Sequence, residues 1–486
     1  MALSNKILKL KDHALKINDA WIKNTEKPEQ GTDKDTTTTV SEVVGDMAPH
    51  VNINGYTFDS KDISYFEVSE KDMLPFARVV INDPSGVFTN KFFPTNKSVM
   101  QVYIKAPHKR VKALRCDFLI GSILPIEDKS SKNPQSAEGR GHQYVVSGNL
   151  NVPKMYNSDV NYYKGSAMDS LMKIAGDIGI GFASNEVSTS DSMTWLQPSI
   201  PYSELIDDIT NRTYKDGDSF YTSFVDRAYN LTLVNINDML SQEEDFDMMF
   251  SSVLRNKEHY TPGSNGTSKN DDDEPQDNFL TNYSHFRGSS SYITSIIPIS
   301  KQGKILTSEP NRRILYYYDI NISDKNNEKF LDFFIEPFGS TITAEDIGKN
   351  VCNSWEGILN TNVHDNYIYA KHSNNKNMLD FKKNKMLVTL EGANMNIIRG
   401  MRIPLVIVKE GLDQEIREEI YVPDDKNKDI EEDSGKQVVK MDKDKTGYYV
   451  VDAVKFIFDK DGGNYPFNTV LELCRASWGD NIEFDN

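Results

Sequence analysis

Two stretches of this chain, about 300 residues apart, read in the same order. The first runs from a short β-rich segment, Met100–Ala106 (MQVYIKA), to a longer one, Asp117–Glu127 (DFLIGSILPIE). It then continues to Tyr144–Val152 (YVVSGNLNV). The second opens on Arg402–Lys409 (RIPLVIVK), crosses a long polar loop to Tyr448–Phe458 (YYVVDAVKFIF), and closes on Phe467–Arg475 (FNTVLELCR). The turn at Asp459–Asn464 (DKDGGN) has the Asp, Gly and Asn chemistry of a hairpin. A chain built this way is α+β and mostly β. Duplication predicts two small antiparallel barrels, although two unrelated antiparallel domains would read alike.

The middle of the chain changes period. Ser166 has the chemistry of an N-cap, with Asp169 three residues on. Ala167, Leu171, Ile174, Ala175 and Ile178 share one helical face, and Gly179 stands where a C′ residue turns left-handed. Ser203 is the expected cap of a second helix carrying Leu205, Ile206 and Ile209. Ser219–Val225 and Leu231–Asn235 read as a hairpin around Asp226–Asn230. Ser166–Asn237 is thus expected to be an α/β unit between the β-rich parts. A third helix is expected at Ala344–Trp355, capped by Thr343 with Asp346 three on.

The 486 residues correspond to about three domains, and 38% hydrophobic content suits a folded chain. Asp and Glu number 72 against 55 Lys and Arg, a net charge of −17. A protein that grips nucleic acid clusters cations against phosphates, so the balance argues against tight binding. No run reaches the ~20 apolar residues of a membrane span. Lys6, Lys9, Lys11, Asp12 and Lys16 interrupt any signal-peptide core. Cys116, Cys352 and Cys474 are too few and scattered for a disulfide framework or zinc cluster, which implies small buried hydrophobes and a reducing compartment. Asn24–Pro49, Glu127–Gly141, Asn256–Asn278 and Pro423–Thr446 are poor in apolar residues and read as mobile loops. Their acidic runs, Asp271–Glu274 and Asp442 to Asp444, lack the spacing of a calcium loop.

Chemistry is sparse. Gly176, Gly179 and Gly181 end a helix, where no phosphate cradle forms. His13, His50, His108, His142, His259, His285, His364 and His372 never share zinc-site spacing, and surface or loop positions are expected for them. Glu204 with Asp207 and Asp208, and Asp216 with Asp218, could pair as glycosidase acids, but polar surroundings favour solvated faces. Tyr316–Tyr318 and Phe333–Phe334 alternate across a strand, so at most half of each run shares a surface; this favours core packing or a protein interface, between which the sequence does not decide, over a sugar- or base-stacking platform. Leu3, Ile7, Leu10, Ala14 and Ile17 form a near-helical apolar stripe on a tether, suited to docking on a neighbouring subunit or, less well, to a membrane surface. No catalytic, cofactor-binding or metal-binding residue is assigned.

The succession of segments then resembles a known family. GNLNVP at 148–153 leads through Tyr156 and Tyr162–Tyr163 to SAMDSLMKIAGDIGIGF at 166–182. Asp191 to Trp195, Tyr202–Ile209 and DGDSFYTSFVDRAYNLTLVNIN at 216–237 follow, with MLVTLEGANMNIIRGMRIPLVIV at 386–408 beyond. This order resembles the central baseplate hub of contractile-tailed bacteriophages, related to late control protein D and the hub half of the type VI secretion spike protein VgrG. The likeness covers most of 50–486; the N-terminal segment and the loops at 256–278 and 423–446 depart from it. It implies a non-enzymatic virion protein, a homotrimer with two tube-like β-barrel domains per chain. It also implies contacts with tail tube protein, central spike protein and other baseplate proteins, and a lumen that passes DNA without binding it. The implied division is 1–49 N-terminal segment and flexible tether, 50–153 first barrel, 154–240 α/β insert, 241–310 β-rich segment with a disordered acidic loop, and 311–486 second barrel with α/β additions. Alternatives of another class are a glycan-binding tail protein, using Tyr316–Tyr318, and a tail-associated peptidoglycan hydrolase, using Glu204 or Asp207.

Overall fold

A computed structural model describes residues 49–58, 61–83, 86–95, 98–104, 113–126, 142–240, 279–282, 292–300, 312–319, 328–334, 351–359, 363–409, 440–442, 445–460 and 466–475. The N-terminal stripe and tether, Glu127–Gly141, Asn256–Asn278 and most of Pro423–Thr446 lie outside these residues.

Alternating apolar positions make strands of the first part: β1 (His50–Ile53), β2 (Tyr56–Phe58), β3 (Ile63–Glu70), β4 (Phe76–Asp83), β5 (Val99–Ile104), β6 (Leu114–Ile126) and β7 (His142–Leu150). Ile63, Phe66 and Val68 of β3, and Ala77, Val79 and Ile81 of β4, turn inward, as a period of two demands. A middle region follows with β8 (Ser158–Gly165), α1 (Ala167–Ile178), β9 (Gly181–Ser184), β10 (Met193–Pro201), α2 (Tyr202–Asn211), β11 (Tyr221–Val225), β12 (Asn230–Asn235) and α3 (Ile236–Leu240). The last part holds β13 (Leu280–Thr281), β14 (Ile293–Ser300), β15 (Arg312–Asp319), β16 (Glu328–Phe334), β17 (Val351–Leu359) and α4 (Tyr367–Lys383). β18 (Asn384–Glu391), β19 (Arg402–Val406), β20 (Val408–Lys409), β21 (Lys440–Met441), β22 (Gly447–Asp459) and β23 (Phe467–Cys474) complete it.

The architecture is mostly β and centres on one large sheet. Its strands run in the order β14, β18, β23, β22, β3, β4, β7, β6, β5, β1, β2, each antiparallel to its neighbours. β19 lies against the first half of β22, and β13 joins β19 in parallel.

Five strands of the first part recur in the last. In chain order β3, β4, β5, β6 and β7 correspond to β14, β18, β19, β22 and β23. In sheet order both sets run first, second, fifth, fourth, third, all antiparallel. β6 and β22 are each 13 residues long. The irregularities recur too. The register of β3 shifts at Ser64 against β4, and that of β14 at Thr294 against β18. β6 shifts at Gly121 against β7, and β22 at Asp452 against β23. Each extra residue bends its strand and adds twist, so both sets curve at matching places. The two sets are joined edge to edge, β22 to β3, with Val454 opposite Glu70 and Phe458 opposite Phe66. Where β6 bulges over β7 the strands come very close. A Cβ on Gly148 would collide with the Leu119 carbonyl, so only glycine fits.

In the middle region, the Ser166 hydroxyl accepts the Asp169 N–H at 3.1 Å and the Asp169 carboxylate reaches back to the Ser166 N–H. Gly179 ends α1 at φ 91°, left-handed as expected. The hairpin forms as β11 and β12, its turn held by Asp226 accepting from the backbone of Ala228 and Asn230. α2 departs from expectation: it starts one residue before Ser203, its N-cap is Pro201, and no side chain caps it. Proline's fixed φ and missing N–H suit that end of a helix.

Two expectations fail nearer the C-terminus. Of the helix expected at Ala344–Trp355, residues 351–355 belong to strand β17, paired in parallel with Arg312–Tyr316; the remainder lies outside the described residues. Among the described residues the helix of this part is α4, beyond it, whose buried Ile368, Ala370 and Phe381 pack inward. Phe381 joins Phe220, Phe224, Val234, Val450 and Cys474 in a cluster that bonds the middle region to the last strands.

Candidate assembly interface

The residues weighed for chemistry in the sequence fall in structural settings. Glu204 and Asp207 are exposed on α2, and Asp208 pairs with Arg212 at 3.0 Å, one turn on. Asp216 accepts the backbone N–H groups of Asp218 and Ser219, shaping a turn. Gly181 abuts Asn230, closing β9 against β12. Cys116 and Cys474 are buried free thiols, both pushed upward by desolvation, Cys474 to about 12. The side chain of Cys352 lies outside the described residues. Along β15, Tyr317 is buried and Tyr318 exposed, so the aromatic run splits between faces. The side chains of Phe333 and Phe334 lie outside the described residues. Among the described residues no three His, Cys, Asp or Glu are grouped to hold a metal, and no helix is long and apolar enough to cross a membrane.

His364 contradicts the expectation of a surface histidine. It is buried beside Trp195 (6.2 Å between rings) and edge-on to Tyr367 (5.6 Å), and burial lowers its pKa to about 4. Its signal in the sequence was the neighbouring Tyr367, hidden because α4 carries no amphipathic stripe.

What the surface offers is contact area. β8 and β10 pair as a separate two-stranded sheet, with Leu196 opposite Tyr162 and Pro198 opposite Val160. Tyr163 and Trp195 face the core, while Val160 (83% exposed), Leu196 (65%) and Tyr162 present an apolar outer face. Large exposed apolar groups on one face mark contact surfaces in soluble proteins.

Among the described residues the large sheet leaves ladder edges without a partner strand at β14 and along part of β6, besides its far end at β2. β14 is one terminal strand, paired only with β18 among the described residues. β6 is paired with β5 over Leu114–Leu119, and the Ile120 N–H still donates to the Ser98 carbonyl at 3.0 Å, so from Gly121 to Ile126 its outer edge carries no partner strand among the described residues. Leu124 (59% exposed), Ile126 (39%) and Ile297 of β14 (52%) stand on these two edges.

Behind the edges the scaffold is tied together by buried charge. Arg227, in the hairpin turn, meets Glu70 at 2.8 Å at the end of β3. It donates to the carbonyls of Ile397 at 2.6 Å and Met395 at 3.2 Å, and its guanidinium lies over the Phe456 ring at 4.8 Å. Arg399 donates to the Asp72 carbonyl at 2.9 Å and lies over Phe224. Asp191 is fully buried. One of its oxygens accepts from the Ala167 N–H and the Thr189 hydroxyl, the other from the Tyr214 N–H.

No family model and no curated protein matches the chain. Solved structures do. The tail protein from Neisseria meningitidis MC58 is 10% identical, with 88% of this chain and 96% of that one covered and a TM-score of 0.46. The 43 kDa tail protein of prophage MuSo2 from Shewanella oneidensis is 10% identical, with 88% and 98% covered and a TM-score of 0.44. An Escherichia coli component of the type VI secretion system, itself similar to the T4 bacteriophage tail proteins gp27 and gp5, is 7% identical, with 88% and 77% covered and a TM-score of 0.40. Two of these three solved structures are tail proteins, and the third is a secretion-system component with structural similarity to tail proteins.

Proposed function

We propose that the chain is a structural baseplate hub of a contractile phage tail. Three copies form a ring that joins a six-fold tail tube to a three-fold central spike and leaves a channel for DNA. The observation that carries this reading is the repetition of five strands with both irregularities in place. Closed rings repeat each surface by symmetry. Three copies of a twice-repeated unit offer six similar faces on one side while the rest of each chain keeps three-fold symmetry.

On this reading residues 50–153 and 311–486 are the two tube-like domains, 154–240 the α/β insert between them and 241–310 a β-rich connection. Residues 1–49 are a tether for contacts within the baseplate. The work is binding and load-bearing, not catalysis, and the place is the virion. Three chains carry 3 × −17 = −51 charges. A lumen lined by acidic and neutral polar side chains would let DNA slide, where a cationic wall would hold it through many phosphate contacts.

The test is the mass of the purified chain in solution and its co-assembly with tail tube protein. A mass of three chains, and rings stacked on tube, are expected. A chain that stays monomeric at high concentration and leaves tube protein unassembled overturns the reading.

A further inference from the structure

Among the described residues the β8–β10 ribbon is covered on one side only. There α1 packs on β8 and α2 on β10. On that side Tyr163 donates to the Asp177 carboxylate of α1 at 2.8 Å, and Trp195 and Gln197 are buried. The opposite side carries Val160 and Tyr162 of β8 with Pro198 and Leu196 of β10, cross-strand neighbours in two adjacent rows, and all four are exposed. Lys164 and Thr194 form the next row, with the Lys164 ammonium over the Tyr162 ring at 5.6 Å. We propose that residues 3–21 of the same chain lie as a helix along this face. The inference goes beyond the ring reading and does not rest on it.

Pattern, size and charge of the segment all fit. Leu3, Ile7, Leu10, Ala14, Ile17 and Trp21 stand at alternating steps of four and three, which puts them on one stripe of a helix. No Gly or Pro interrupts residues 3–21. Lys6 and Lys11 border the stripe, and Asp12 falls on the side away from it. A helix over these residues is about 28 Å long and about 10 Å across. The 8 residues of β8 and 9 of β10 make a ribbon about 26–30 Å long and about 10 Å wide. One helix therefore covers the ribbon once. Four lysines against two aspartates give residues 3–21 a charge of +2, and the rest of the chain carries −17 − 2 = −19, so segment and body attract.

Reach selects the same copy. His50 stands opposite Tyr103, Tyr103 opposite Arg115, and Phe118 opposite Leu150. Strands lie about 4.8 Å apart and rise about 3.3 Å per residue, so the path from His50 through these residues to Ser158, where β8 begins, is at most about 50 Å. Residues 22–49 span about 90 Å when extended, which brings either end of the ribbon within range. The stripe by itself suits a neighbouring subunit as well. A short tether, however, holds the segment beside its own chain at an effective concentration on the order of mM. Docked there, it shields apolar side chains that would otherwise recruit other molecules.

Disulfide trapping and proteolysis of the full chain test this. Leu10 and Leu196 fall near the middles of the helix and the ribbon, so a link between them does not depend on which way the helix runs. Leu10→Cys combined with Leu196→Cys should give, on mild oxidation, a link within one chain. The single variants should give none, and Asp12→Cys combined with Leu196→Cys should give none because position 12 faces away. Trypsin should cut slowly after Lys9, Lys11 and Lys16 compared with Lys34 of the tether. Leu196→Lys changes an exposed side chain, so the unfolding midpoint should hold while those three cuts speed up about tenfold, the loss of one Leu-sized apolar contact. Val160→Lys, on the other strand, should do the same. Equal linking from positions 10 and 12, or cutting rates that both lysine variants leave unchanged, overturns the docking. Links between chains instead of within one put the segment on a neighbouring copy and overturn the placement made here. The mass of the wild-type chain reports on the ring separately: a monomer removes that reading and leaves this one standing.

Discussion

The Arg227 guanidinium meets the Glu70 carboxylate at 2.8 Å with both side chains buried, at the point where the two five-strand sets join. Burial pushes the Glu70 carboxyl above its usual range and Arg227 opposes that push. Removing one member of a buried pair leaves the other uncompensated, a loss of about 3–5 kcal/mol. Arg227→Met is therefore expected to cost about that much in urea unfolding at neutral pH. The sign with pH follows from the raised carboxyl. The folded state holds the Glu70 proton more tightly than the unfolded chain, so stability from this group falls as pH rises through the shifted range. Without Arg227 the shift grows, and the deficit of the variant should narrow on acidification. A deficit that widens instead contradicts this account of the pair.

Asp191 acts as a distant cap for α1 and an anchor for the chain at Tyr214. Asp191→Ala would strand two backbone N–H donors, each costing about 1–3 kcal/mol when buried unpaired. The expected result is a lowered unfolding midpoint together with faster amide exchange at Ala167 and Tyr214. Unchanged exchange at both amides would show that other acceptors take over.

The legible parts of this fold are those whose signals are local. Ser166, Asp169 and Gly179 announce α1 because capping and left-handed termination are matters of one residue's chemistry. The hairpin around Asp226 is legible for the same reason. α4 is not, because YIYAKHSNNKNMLDFKK has no apolar stripe. It is held by tertiary bonds, with Asn374 accepting the Tyr221 N–H and donating to the carbonyls of Asn211 and Thr213. The repeat was visible as an order of β-rich runs, but its register was not. Gly121 and Asp452, or Ser64 and Thr294, share position without sharing a signal, since a strand irregularity depends on its partner strand. The open edges were invisible for the same reason: pairing is a property of the whole sheet.

The cluster around Lys385 gives the ordinary acid response. Its ammonium meets the Asp452 carboxylate at 2.9 Å and the Glu472 carboxylate at 2.6 Å, bridging β18, β22 and β23. Although burial alone would raise them, the Lys385 contacts, with Lys382 at Asp452 and Lys71 at Glu472, hold both carboxyls below their usual values. For a depressed carboxyl, stability is present above the unfolded pKa and is lost as pH falls through the folded one. Unfolding midpoints should therefore drop below about pH 4, the unfolded carboxylate range. Lys385→Met should remove much of that drop while lowering stability at neutral pH. Parallel pH curves for wild type and variant would assign the acid response elsewhere.

His364 predicts a second acid step at higher pH. Its imidazole is buried among Trp195, Tyr367 and Arg212, and desolvation lowers its pKa from 6.5 to about 4. In the unfolded chain the ring protonates first, so between those values the unfolded state binds more protons and stability falls as pH is lowered. The window is about pH 6.5 down to about 4, above that of the Lys385 cluster, and the full effect is on the order of 3 kcal/mol. Arg212 stacks on Tyr367 at 4.3 Å, so a proton on His364 would also face a cation across a buried contact. His364→Phe should flatten the stability curve in this window and leave the lower step at Lys385 intact. Imidazole resonances followed by NMR provide the direct check: His364 should stay neutral to about pH 5 in the folded chain. A titration near the ordinary histidine value would mean that water reaches the ring and that α4 is not packed on α2 as described.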